Sequence, residues 1–232
     1  MKKEYDFSKG ERGKFYNNKA RFNMKDNKNN LYAEFFDPGE KFQLEPRAFC
    51  YDLASDLIAQ AKSKSPKNWY NQRETIQGVL LLLYTWNFAA QKTKALNYDN
   101  VGGLLKDNKE LLRKLEKRSI QDDEITWENI KEDIEKVFDS FKTLFGQTGA
   151  SKALSLLNPN LFVMWDTNIR KELNKELIPK INNGKSSKHY ITYLEGIRKI
   201  IDEYNIATNL PPGSIVAKKI DEYNYVKIVM GL

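Results

Sequence analysis

Apolar residues along this chain recur at the spacing of one helix face after another, while the strict alternation of a half-buried strand is scarce. From Pro46 onward, Cys50, Leu53, Ala54, Leu57, Ile58 and Ala61 follow the i, i+3, i+4, i+7 series, which predicts an amphipathic helix with that face inward. After Ser65-Pro66 a second helix is predicted from about Trp69 to Gln91. Its centre, GVLLLLYTWNFAA, is apolar nearly all round and marks the element that other helices wrap around. Gly102-Gly103 is expected to break the next stretch, with a short amphipathic helix over Leu104–Lys117. Thr126 reads as an N-cap, with Glu128 favourably placed in the first turn. The helix behind it is expected to bury Trp127, Ile130, Ile134, Val137, Phe138 and Phe141. Later helices are expected from Asp166 to about Leu177, ended by Pro179; over Tyr190, Leu194, Ile197, Ile201 and Tyr204, after an Asn182–Gly184 turn; and from Ser214, after Pro211-Pro212-Gly213. The fold class is all-α.

The first 45 residues depart from this pattern. Residues 1–30 have weak periodicity and many Asn and Lys, and read as a flexible or partly docked arm. Leu31–Phe36 reads as a short strand or extended segment, closed by the turn chemistry of Asp37-Pro38-Gly39. The expected division is a basic arm and extended segment over 1–45 and a helical domain over 46–232.

Composition narrows the function classes. One cysteine, Cys50, excludes an intramolecular disulfide framework and a four-cysteine cluster, and one histidine, His189, leaves no His-rich metal site. No metal and no cofactor are expected. Residues 1–30 carry no apolar core of a secretory signal, and the longest apolar run, Val79–Ala90, is too short to cross a bilayer. A cytoplasmic protein with no membrane partner is the expectation, nucleoid-associated if the source is a prokaryote.

The net charge of +7 invites a polyanion, and its distribution is uneven. Residues 1–30 hold nine Lys/Arg against four Asp/Glu, and 140–200 hold ten against four, while 31–139 hold sixteen against nineteen. Positive charge is therefore gathered in the arm and around Leu144–Arg170, LFGQTGASKALSLLNPNLFVMWDTNIR. A solvated surface explains either cluster equally well.

That segment carries the chemistry. Gly146 suits a left-handed helix end, Gln147 and Thr148 form a tight link, and Gly149 permits close backbone approach before a second helix. Free N–H groups there would suit a phosphate, with Lys152 adding charge; a plain helix–turn–helix corner is the alternative. Ala153, Leu154, Leu156 and Leu157 make a short buried helix stopped by Asn158-Pro159, and the apolar run LFVMW then leads into Asp166. Asp166 reads as an N-cap that can also serve as a positioned carboxylate.

Gly–x–(Lys or Ser)–x–Ala, a helix, a loop, an apolar run and Asp–Thr–x–Ile together resemble the helix-hairpin-helix-GPD DNA glycosylases over roughly Phe138–Arg170. The resemblance implies a helix-hairpin-helix glycosylase-like helical fold, with room for two helical subdomains flanking an active-site cleft. The hairpin region would be 138–157 and the catalytic-Asp region 158–178. It implies that Asp166 stabilises the oxocarbenium-like state or activates the attacking group. It further implies that a hairpin lysine, Lys152, is a Schiff-base nucleophile, or that Ser151 holds that position if Ala153 sets the alignment. Gly146, Gln147, Thr148, Gly149, Ser151 and Arg170 would contact DNA. The hairpin is one residue longer than Gly-x-Gly, and Lys152 and Asp166 are 14 positions apart, closer than in the family.

The function implied is base excision. The enzyme would flip a damaged or modified base from double-stranded DNA, acting as a monomer, and cleave its N-glycosidic bond, with or without Schiff-base lyase activity at the abasic site. Trp69, Tyr84, Trp86 and Trp165 are either base-stacking or core residues. Two other classes stay open: a non-catalytic nucleic-acid-binding module, and a toxin–antitoxin or phage-defence component. The segment EYDFSKGERGKFY resembles one in small bacterial antitoxin-type proteins, which motivates the last.

Overall fold

A glycine holds the longest helix in two halves. The computed structural model describes Tyr32 and residues 35–87, 95–176 and 186–232, the side chains of 174–176 excepted. Every regular element among them is helical. The elements are α1 (Gly39–Phe42), α2 (Ala48–Lys64), α3 (Arg73–Trp86), α4 (Tyr98–Asp107), α5 (Lys109–Leu115), α6 (Glu124–Leu157), α7 (Thr167–Glu176), α8 (Ser187–Glu203) and α9 (Val216–Asn224). A short 3₁₀ turn spans Trp69–Asn71, and α9 continues as a π-helix over Tyr225–Met230. No described helix is long and apolar enough to cross a membrane. The arm, the end of the second helix beyond Asn87, and the Pro179 and Asn182–Gly184 signals lie outside the described residues.

Helices α2 and α3 run antiparallel. Lys64 pairs with Glu74, and at Gly78 an added Cβ would lie 2.9 Å from the Ala54 carbonyl oxygen. That close approach sets which face of α2 is inward: Ala48, Tyr51, Ala54, Ile58 and Ala61 are buried, while Leu53 is exposed. The predicted face is therefore rotated by about one residue. Gly102-Gly103 does not break a helix; both lie inside α4. At Gly102 a Cβ would come within 3.1 Å of Ile76 Cδ1, so the residue lets α4 settle onto α3. The second predicted helix is interrupted as well: residues 69–71 are 3₁₀, and Asn87 leaves the helical region after Trp86.

The true N-cap of α6 is Asp123, three residues before Thr126. Its carboxylate accepts from the Thr126 N–H (2.9 Å) and hydroxyl (2.7 Å). The acid outcompetes the hydroxyl because it can accept both hydrogens at once. The first half of α6 packs antiparallel on α8, with Lys131 pairing Glu195 at 2.6 Å and Phe138 stacked on Tyr190 at 4.2 Å. At Gly146 the backbone turns out of the helical region (φ 67°, ψ 171°), and the helix resumes at once. The expected hairpin link is thus a single-residue kink, with Gln147 and Thr148 already helical. No atom crowds the place of a Gly146 Cβ, so the requirement for glycine is conformational. Gly146→Ala is expected to cost about 1–3 kcal/mol and to lower Tm by roughly 2–10 °C in a thermal melt.

Beyond the kink, every residue from Gly149 to Leu157 is buried. This short half of α6, rather than the apolar α3, is the element enclosed on all sides. The end of α6 is tied down by polar groups. Lys62 donates to the Leu157 carbonyl, and the Asn158 amide donates to the Leu115 and Arg118 carbonyls. The described part of the first 45 residues also packs on the body. Tyr32 stacks on Tyr223 and donates to Asn224 Oδ1, while Phe42 is buried against Trp86. Residues 35–38 have no regular structure; Asp37 Oδ1 accepts from Gly39 N–H at 3.0 Å, a turn at the expected place, which leads straight into α1, where the Pro38 carbonyl accepts from Phe42 N–H.

Candidate functional site

Lys152 and Asp166 line one pocket. Phe42, Tyr51, Trp86 and Tyr225 form its aromatic walls, and Asp221, Glu222 and Lys218 bring further charge. The side chains come from α1, α2, α3, both sides of Asn158-Pro159, and the α9–π-helix junction, so distant segments meet there.

Lys152 reaches the pocket from inside the molecule. It sits on the fully enclosed half of α6, and its ammonium donates to the Trp86 carbonyl at 2.6 Å and lies 5.8 Å from that indole ring's centre. Burial holds this amine below the ordinary lysine range; Asp166 opposes the shift, Arg47 adds to it and Asp221 opposes it. An amine with a depressed pKa is a better nucleophile near neutrality.

Asp166 stands at the mouth, half-buried, as the N-cap of α7. Its Oδ1 accepts from the Asn168 and Ile169 N–H groups, each at 2.9 Å. The extended run before it is pinned by α8. Tyr190 and Tyr193 donate to the Val163 and Met164 carbonyls, both at 2.9 Å. These hydroxyls fix the backbone that presents Asp166.

Ser151, the other candidate at the nucleophile position, faces away from the pocket. It is fully buried; its hydroxyl donates to the Thr148 carbonyl (3.0 Å) and accepts from Trp165 N–H (2.9 Å). That bridge joins the kinked helix to the Asp166 segment and uses the hydroxyl in both directions. Of the residues assigned to DNA contact, Gly146 is exposed and Gln147 and Thr148 are half-buried. Gly149 is buried, and its missing Cβ makes room for Asn87 and Phe145, where a Cβ would meet atoms at 2.5 and 2.7 Å. Its close approach is therefore to the protein itself. Arg170 lies 5.1 Å from the Trp165 ring and donates one amino group to Thr167 Oγ1 at 3.0 Å.

Among the four aromatic candidates only Trp86 borders the pocket. Trp69 and Trp165 are core residues, and Tyr84 projects partly into solvent while donating to the Leu96 carbonyl at 2.7 Å. Sequence reasoning missed Asp221, Glu222 and the aromatics Phe42, Tyr51 and Tyr225. A signal for one of them existed: Ala217, Ile220, Asp221 and Asn224 share a helical i, i+3, i+4, i+7 series, and a buried acid on an apolar stripe is uncommon.

The pocket is narrow. Its cavity volume is about 20 Å³, room for about one water. A polar latch borders it: Arg47 donates to the Tyr225 hydroxyl at 2.6 Å, and that hydroxyl donates to Glu45 at 2.8 Å. Arg47 also lies 4.8 Å over the Trp86 ring. No three His, Cys, Asp or Glu side chains are grouped to hold a metal among the described residues. Comparison with protein-family models, curated proteins and solved structures finds no match for this chain.

Proposed function

We propose that the chain is a DNA base-excision glycosylase with Schiff-base lyase activity, built on the kinked helix α6 and the helix α7 that follows it. The observation that carries this reading is the meeting of Lys152 and Asp166 in one aromatic pocket. Between them they offer the two groups the chemistry needs, a buried amine of depressed pKa and a fixed carboxylate at the mouth. Aromatic walls suit a planar, extruded base. Arg170, on the first turn of α7, has a buried, unpartnered Nη1 and a second amino group bonded to Thr167, so it would meet a backbone phosphate only after turning outward. The concentration of positive charge over residues 140–200 favours the same polyanion.

A base does not fit the pocket as it stands, so the Glu45–Arg47–Tyr225 latch must open on DNA binding. The testing experiment is a panel of duplexes carrying oxidised, deaminated, alkylated or mismatched bases, scored for strand cleavage before and after alkali. Cleavage without alkali is expected on at least one lesion; no excision anywhere in the panel overturns the proposal. The closed pocket is also what favours the second reading, a nucleic-acid-binding module without chemistry, which would show salt-dependent DNA binding and no turnover.

A further inference from the structure

We infer that Asp221 is a second working carboxylate of this pocket, exchanging a proton with Lys152. Asp221 is buried and bridges the two segments that carry the proposed chemistry. Its Oδ2 accepts from the hydroxyl of Ser155, one turn beyond Lys152 on α6, at 2.9 Å. Its Oδ1 accepts from the N–H of Met164, two residues before Asp166, at 2.5 Å. Both Lys152 and Asp221 border the same small cavity.

The surroundings accommodate both protonation states. As a carboxylate, Asp221 accepts from Ser155; as an acid, it can donate to the same oxygen once the serine hydroxyl rotates away. Lys152 keeps the Trp86 carbonyl as its acceptor. Burial disfavours charge on each group, raising the acid and lowering the amine, so the neutral pair and the ion pair are drawn together in free energy. The other groups facing Asp221 are Tyr51 from α2, Tyr190 and Tyr193 from α8, Tyr32, and its neighbour Glu222. Burial keeps the four tyrosines protonated and uncharged; Lys152 acts on Asp221 as a cation, and Lys218 and Asp166 border the same cavity.

No hydrogen bond or ion pair joins Lys152 to Asp221 directly, so the proton passes across the cavity they share, which has room for about one water; the reaction it serves rests on the glycosylase reading above. The Asp221 carboxylate takes a proton from the Lys152 ammonium and frees its lone pair. That pair forms a C–N bond to the sugar C1′ as the N-glycosidic bond breaks. The departing base keeps the electron pair of the broken bond and collects the proton from Asp221. The products are the free base, the Asp221 carboxylate and a secondary ammonium joining Lys152 to the sugar.

The test begins without DNA. In protein labelled with ¹³C and ¹⁵N at lysine, the Lys152 side-chain signal is titrated by NMR in wild type and Asp221→Asn. Removing the carboxylate is expected to move the Lys152 midpoint down by roughly one pH unit or more. Ser155→Ala, which keeps the acid but removes its partner hydroxyl, is expected to move it in the same direction and serves if Asp221→Asn does not fold. An unchanged midpoint in both variants overturns the inference and leaves Asp221 a purely structural bridge. The second arm uses DNA. Asp221→Asn is expected to lose base release from a lesion duplex while still giving a borohydride-trapped adduct on a preformed abasic site; equal loss of both overturns the proton-exchange role. If wild type shows neither reaction but the NMR shift is present, the glycosylase reading falls and the Asp221–Lys152 pair stands.

Discussion

Asp166→Asn is expected to lower base release by about 10²–10³-fold while leaving the fold and DNA binding in place. The substitution separates the capping role the structure shows from the catalytic role proposed for the same side chain. As an N-cap, Asp166 accepts from the Asn168 and Ile169 N–H groups. Asparagine caps a helix about as well as aspartate, and its side-chain oxygen can accept the same two bonds. What it cannot supply is negative charge beside a developing oxocarbenium ion. The expected result is a melt close to wild type, unaltered retention of a lesion duplex in a gel-shift assay, and loss of base release under single-turnover conditions. Excision at the wild-type rate would remove Asp166 from the chemistry and leave it a cap.

Lys152→Met is expected to abolish the borohydride-trapped adduct entirely, because a thioether forms no imine. The same variant carries a stability signature that needs no substrate. Burial places the Lys152 pKa below its unfolded value. Below the folded-state pKa both states hold the proton, and wild type bears the full cost of a buried ammonium. As pH rises toward about 10.4, where unfolded lysine deprotonates, the unfolded chain binds more protons than the native one and that cost disappears. Wild type should therefore gain stability relative to Lys152→Met as pH increases from neutrality, measured by urea unfolding at a series of pH values. Methionine also leaves the Trp86 carbonyl without its donor, a loss nearly independent of pH, so the slope rather than the offset identifies the buried amine. A difference between the two proteins that stays flat with pH would mean Lys152 is solvated in the native state. A trapped adduct persisting in Lys152→Met would point to another amine as the nucleophile.

Helical periodicity made most of the elements legible. Of the face predicted for α8, Tyr190, Leu194, Ile197 and Ile201 are buried while Tyr204 is the half-buried C-cap, and the six apolar residues expected inside α6, from Trp127 to Phe141, are all buried. Errors cluster where backbone proximity overrides local preference. Gly102-Gly103 reads as a breaker, yet Gly102 is used for packing against Ile76 inside α4. Gly146 and Gly149 read as two ends of a loop; one is a one-residue kink and the other is a contact point for Asn87 and Phe145. A glycine's sequence neighbourhood does not say whether it is needed for its φ or for its missing Cβ.

The sequence by itself determined the helical class, the basic cluster around Leu144–Arg170, and the placing of an Asp at a helix start after a buried run, because each depends on residues close together in the chain. Only the tertiary structure decided which side chains share the pocket. Both Lys152 and Ser151 are buried; which of them borders the pocket turns on the rotation of α6 beyond Gly146, where Gly149 seats against Asn87 and Phe145. Asp221 enters the pocket from 55 residues beyond Asp166 because α9 packs its stripe of Ala217, Ile220, Asp221 and Asn224 inward, bringing an acid onto Ser155 and Met164. Contacts of that range follow from how helices fill space against one another, which local spacing does not encode.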